Sequence, residues 1–195
     1  MSSKDLKFSS KLIHANHYED QYGSATVPIY QTSTFAFENA EHGAKCFAGE
    51  SKGYIYTRIG NPTVRSLEQT VAELENGYDG IATSSGMGAV TTIYMALLGK
   101  GKHMVSTGAV YGPSRVVIET LFAKFGVEST YVNTSDINSV VNAIKPNTSV
   151  LYLESPANPT MEISDIKELS RIAHEKGITV VVDNTFCSPY LQRPL

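Results

Sequence analysis

Val180-Val181-Val182-Asp183-Asn184-Thr185-Phe186 reads as a buried strand that ends on a carboxylate. Three β-branched residues in succession suit a strand covered on both faces. Asp183 then stands at the strand's C-terminal end, where open α/β sheets place their ligands. Moving back along the chain, residues 164–176 have helical spacing and close at Gly177, and residues 150–153 form another apolar strand. Strands at residues 81–83, 104–106 and 127–132 alternate with helices at 86–98, ended by Gly99, and at 113–125, ended by Gly126. Asp136 is placed to cap a further short helix. Five strands with helical connections predict an α/β fold, a mostly parallel sheet covered by helices on both faces.

Upstream of the sheet, Asn61 is an N-cap with Pro62 at the first helical position. Val64, Leu67, Val71 and Leu74 follow at helical spacing, and Asn76-Gly77 ends that helix. Residues 1–60 carry weak periodicity, with aromatics and turn residues but few long helical patterns. They read as an arm lying on something else, and residues 61–195 as the domain proper.

Composition narrows the class. A chain of 195 residues can bury a sizeable core, and a net charge of −3 with mixed-sign surface points to neither nucleic acid nor an anionic membrane as partner. Cys46 and Cys187 are too few for a disulfide framework. Met1-Ser2-Ser3-Lys4-Asp5 lacks the apolar run of a signal peptide, and no stretch approaches transmembrane length. The expectation is a soluble cytoplasmic protein. The histidines at 14, 17, 42, 103 and 174 form no metal-ligand spacing, so no metal is expected.

Ser84-Ser85-Gly86-Met87-Gly88 joins a strand to a helix. Glycine permits close backbone approach, and the first helical turn offers free N–H groups at a positive dipole end. Such a turn holds a phosphate or merely packs closely; it matches neither a Walker loop nor a dinucleotide-binding turn. Taken bare, Asp183 caps a turn or pairs with an arginine, and Tyr111 is one loop tyrosine among 11. Arg58 is a solvated charge, and Glu154 to Thr160 is a polar, proline-bearing turn.

Their order and spacing add what single motifs lack. Thr26 to Phe35, Gly53 to Thr63, Ser84 to Gly88, Glu154-Ser155-Pro156-Ala157-Asn158-Pro159-Thr160 and Val180 to Phe186 resemble the pyridoxal-phosphate-dependent enzymes of cysteine and methionine metabolism. The likeness runs from Ser9 to the terminus and is greatest to the methionine γ-lyase branch. It implies the fold-type I pyridoxal-phosphate transferase-like architecture, with residues 61–195 as the N-terminal part of the cofactor domain. The implied cofactor is pyridoxal 5′-phosphate. The resemblance puts Ser85, Gly86 and Met87 at the phosphate, Asp183 at the ring nitrogen, and Tyr111 stacked on the ring with its phenol assisting the leaving group. It puts Asn158 at the phenolic oxygen, Glu154 behind that wall and Thr185 near the ring. Tyr56 and Arg58 would reach the phosphate of a neighbouring subunit, which implies a homo-oligomer, a dimer of dimers, with shared active sites.

The implied reaction is γ-elimination from a sulfur amino acid, giving methanethiol, 2-oxobutanoate and ammonia from methionine. Methionine γ-lyases usually carry a cysteine just after Tyr111-Gly112, where this chain has Pro113. Cystathionine γ-cleavage and sulfhydrylation of an O-acylhomoserine therefore stay open. The family's cofactor-bonding lysine, and the arginine that holds the substrate carboxylate, fall beyond Leu195. None of Lys100, Lys102, Lys124, Lys145, Lys167 or Lys176 matches the lysine's position. A lysine on a different helix cannot replace it, because bond formation needs contact distance. The expectation is a fragment, inactive alone, with a gap in mid-sheet between the 81–83 strand and the Asp183 strand.

Overall fold

The computed structural model describes residues 6–15 and 20–195. Two compact units divide the chain, Met1–Ala82 with Leu195 and Thr83–Pro194. In the first, α1 (Phe8–His14), α2 (Ala40–Phe47) and α3 (Pro62–Glu75) are the helices among the described residues, and one isolated antiparallel bridge pairs Thr34 with Tyr56 in the loops on either side of α2. Asn61 caps α3 by accepting from the Thr63 N–H, and Asn76, left-handed at φ 58°, ends it. An ion pair of 2.5 Å between Lys11 and Glu73 ties α1 to α3.

The second unit holds the sheet. Its strands are β1 (His103–Thr107), β2 (Glu128–Val132), β3 (Thr148–Glu154) and β4 (Thr179–Asp183), in the order β2-β1-β3-β4 and all parallel. Side chains alternate across each strand. Met104, Val150 and Tyr152 therefore pack with Val90 and Tyr94 of α4 (Gly86–Leu97) and with Ile118 and Phe122. On the opposite face Val105, Leu151 and Leu153 pack with Val140 of α6 (Ile137–Ala143) and with Leu169 and Ala173 of α7 (Ile166–Glu175). Asp136 and Asp165 cap these last two helices. Among the described residues no helix is long and apolar enough to cross a membrane.

Two expectations are corrected. The run at 81–83 is not a strand, so the sheet has four strands rather than five. An extended Ile-Ala-Thr run becomes a strand only with a partner for its backbone. Here the Ala82 N–H is taken by Glu68 Oε1 at 2.8 Å, and Ile81 is 88% exposed. The helix expected at 113–125 is helical but not uniform. It runs as α5 (Gly112–Val116), a π turn at Val117–Leu121 and a 3-10 turn at Phe122–Phe125, ended by Gly126 at φ 76°.

Candidate active site

Alternation decides which strand-end groups meet. Val180 and Val182 join the α6–α7 face, so Val181 and Asp183 turn to the α4 face. Asp183 pairs with Glu154 in the sheet register, and Tyr152 lies on the same face of β3. Two carboxylates and a tyrosine thus converge at the C-terminal ends of neighbouring strands.

Each carboxylate is held by donors. Asp183 Oδ1 accepts from the Thr185 N–H at 3.1 Å and from the Thr185 hydroxyl at 2.5 Å, while Oδ2 accepts from the Tyr152 hydroxyl at 3.3 Å. Glu154 is buried, at 5% exposure. Its Oε2 accepts from the Tyr111 N–H at 2.7 Å and its Oε1 from the Asn158 N–H at 3.0 Å. Burial of an ionised carboxylate is tolerated where such donors face it. Burial also pushes the Tyr152 and Tyr94 phenols well above the ordinary tyrosine value, with the charges of Asp183 and Glu154 adding to it. Both phenols therefore stay protonated and available as donors.

Across from these groups α4 begins. Ser85 is its N-cap and accepts from the Gly88 N–H at 3.0 Å; the Thr83 hydroxyl in turn donates to the Ser85 carbonyl at 2.8 Å. A Cβ added at Gly86 would meet nothing within 4 Å, so the helix start opens onto free space. First-turn N–H groups without intrahelical acceptors, an unobstructed glycine and a dipole end suit an anion.

A cleft of about 560 Å³ joins these elements. Ser85, Gly86, Met87, Tyr111, Glu154, Asn158, Asp183 and Thr185 all line it, so eight of the expected site residues come together. Tyr56 and Arg58 do not; they lie in the first compact unit, with the Arg58 guanidinium 5.1 Å from the Tyr56 ring centroid. Tyr152 and Ser114 also line the cleft, and neither was singled out from sequence. Tyr152 reads there as one more core residue of a strand. The parity it shares with Glu154 and Asp183 is the signal that could have found it. No grouping of metal ligands occurs among the described residues. A phosphorylated pyridine aldehyde fits this donor set, with a carboxylate for its ring nitrogen, a glycine-lined helix start for its phosphate and an aromatic side chain for its ring.

Comparison with known proteins bears on the same residues. Residues 9–195 match the family described as Cys/Met metabolism PLP-dependent enzyme. The chain is 48% identical over 196 residues to an L-methionine γ-lyase of Fusobacterium nucleatum, covering 100% of this chain and 50% of that protein. It is 41% identical over 191 residues to a cystathionine γ-lyase of Bacillus subtilis, covering 97% and 48%. A solved structure of a putative O-acetylhomoserine (thiol)-lyase from Campylobacter jejuni, which contains pyridoxyl-lysine monophosphate, superposes with a TM-score of 0.90 at 32% identity. That likeness covers 97% of this chain and 47% of the other. The chain thus spans about half the length of the curated relatives it matches. Its sheet order, its strand-end carboxylates and its glycine-opened helix sit within a likeness that runs nearly end to end: the chain belongs to the Cys/Met-metabolism family of pyridoxal-phosphate-dependent enzymes.

Proposed function

We propose that these residues form part of the cofactor site of a carbon–sulfur lyase that eliminates the γ-thiol of a sulfur amino acid, methionine first among them. The observation carrying this reading is one cleft with Asp183 lining it together with the opening turn of α4 at Ser85 and Gly86. When bound, pyridoxal phosphate supplies an electron-withdrawing ring that stabilises negative charge at the amino acid's Cα. Asp183 pairs by charge with the ring nitrogen and favours its protonated form. Ser85, Gly86 and Met87 receive the phosphate through the N–H groups of the helix start. Tyr111 covers the ring, and its phenol gives a proton to the departing sulfur. Asn158 hydrogen-bonds the cofactor's phenolic oxygen, and Glu154 holds the backbone of both Tyr111 and Asn158 in place. Tyr56 and Arg58 reach the phosphate in a neighbouring subunit, so the working enzyme is a homo-oligomer with shared sites, a dimer of dimers. Arginine suits that task because its planar fork matches phosphate oxygens.

Methionine then yields methanethiol, 2-oxobutanoate and ammonia. Greater identity to the methionine γ-lyase than to the cystathionine γ-lyase supports this choice. Pro113, in place of the usual cysteine, leaves cystathionine and O-acetylhomoserine as the competing substrates. Incubating the full-length enzyme with each of the three and measuring 2-oxobutanoate and thiol products decides between them. Turnover of cystathionine or O-acetylhomoserine without methanethiol from methionine would reassign the substrate. Absence of pyridoxal-phosphate binding would end the reading altogether.

A second reading concerns the 195 residues by themselves. Among the described residues no lysine lines the cleft, so none of these can bond the cofactor's aldehyde. The 195-residue polypeptide is inactive alone; 2-oxobutanoate produced by it would contradict this.

A further inference from the structure

Asp183 presents its two oxygens unequally. Oδ1 accepts two donors from Thr185, at 3.1 Å and 2.5 Å. Among the described residues Oδ2 accepts from the Tyr152 hydroxyl alone, at 3.3 Å. That separation exceeds the usual O–H···O range, which leaves Oδ2 with capacity for a further donor. Asp183 and Tyr152 both line the cleft.

The Tyr152 ring is held by the core, and the Tyr94 phenol is the other hydrogen-bonding group beside its hydroxyl. Tyr152 is 1% exposed, and its ring lies 5.5 Å from that of Tyr94 at 60°, while Tyr94 stands edge-on to Phe122 at 5.7 Å and 81°. Packing of this kind fixes a side chain in one rotamer. The hydroxyl is thus aimed at Asp183 by the core rather than by solvent. Burial keeps the phenol protonated, so it donates and does not compete as an anion.

We propose that Tyr152 is a positioning residue for Asp183: with Thr185 occupying Oδ1, its hydroxyl sets Oδ2 as the oxygen offered to the cofactor's ring nitrogen and, by donating there, keeps the shared proton on that nitrogen. This rests on the pyridoxal-phosphate reading given above. The physics is that of any hydrogen bond to a charged form: a donor on the carboxylate stabilises its negative charge. The proton between carboxylate and ring nitrogen then resides on the ring. With the donor removed, the carboxylate draws that proton toward itself and the ring loses pyridinium character. A tyrosine serving only to fill the core would have no such effect.

The test uses the full-length chain loaded with pyridoxal phosphate labelled isotopically at the ring nitrogen, whose magnetic resonance reports protonation directly. Tyr152→Phe retains the ring and deletes the hydroxyl. Its nitrogen resonance should move away from the pyridinium limit, in the direction produced by Asp183→Asn but by less. Cofactor affinity should fall about threefold to tenfold, as for one modest hydrogen bond. If Asp183→Asn moves the resonance and Tyr152→Phe leaves it in place, Tyr152 only packs and the proposal fails while the site reading stands. If neither variant moves it, or the chain binds no cofactor, the site reading fails and this proposal with it. Should Tyr152→Phe not load, 3-fluorotyrosine at that position alters donor strength at nearly unchanged volume. A resonance that does not respond to it overturns the assignment.

Discussion

Near the start of the strands, His103 has no exposed surface and sits between Thr148, 2.7 Å from Nδ1, and Thr130, 2.9 Å from Nε2. Thr148 also accepts from the Lys145 N–H at 2.7 Å, so the cluster is closed on itself. At the other end of the same sheet, Glu154 and Asp183 are also held by several donors, yet both line a cleft. Buried polar chemistry exists at both ends, and the cleft described above lies at the carboxyl end. In an open parallel sheet the crevice forms outside the carboxyl ends of the strands. A satisfied polar cluster stitches strands together, whereas spare acceptor capacity beside empty volume makes a site.

The difference can be broken most forcibly at Glu154. Glu154→Gln replaces one acceptor oxygen with an amide that cannot accept, so either Tyr111 or Asn158 loses its anchor. The variant should lose about 2–3 kcal/mol of stability, as for a buried hydrogen bond to a charged group. Cofactor affinity should fall more than tenfold, checked by denaturant unfolding and by fluorescence titration with pyridoxal phosphate. An unchanged affinity would show that this end of the sheet is merely structural.

His103 tests the closed end. Burial, helped by the Lys145 ammonium and opposed by Glu128, holds its imidazole below the ordinary 6.5. The unfolded chain therefore binds a proton that the folded chain refuses. The associated stability is complete above the ordinary histidine value and is lost as pH falls below it. His103→Gln should cost about 1–2 kcal/mol at neutral pH and flatten the decline as pH falls below about 6.5, with cofactor affinity untouched. A slope identical to that of the parent would remove His103 from the account. The smallest effect belongs to the far face: Asp165 accepts from the Glu168 N–H at 3.0 Å and caps α7. Asp165→Ala should cost about 1 kcal/mol in thermal unfolding and leave the cleft unaffected.

Much of this was legible in local sequence. Asn61, Asp136, Gly126 and Gly177 sit at helix ends in the structure, because caps depend on a few adjacent residues. β4 and its terminal Asp183 were readable from three valines and a carboxylate. The run at 81–83 misled because strand formation depends on a neighbour and not on propensity. The uneven turns between Gly112 and Phe125 carry no signature in their residues. Tyr152 escaped notice because its significance lies in a bond to a residue on another strand. The Glu154 contact with Tyr111 was hidden because it joins segments far apart in sequence, whereas its contact with Asn158 is local, four residues on, and lies within the turn already singled out.

The paired backbone grip of Glu154 has one more consequence. A single side chain rivets the segment beginning at Tyr111 to the one beginning at Asn158, and both rivet points sit on main chain rather than on interchangeable side chains. Removing that one carboxylate therefore unfastens both walls of the crevice at once.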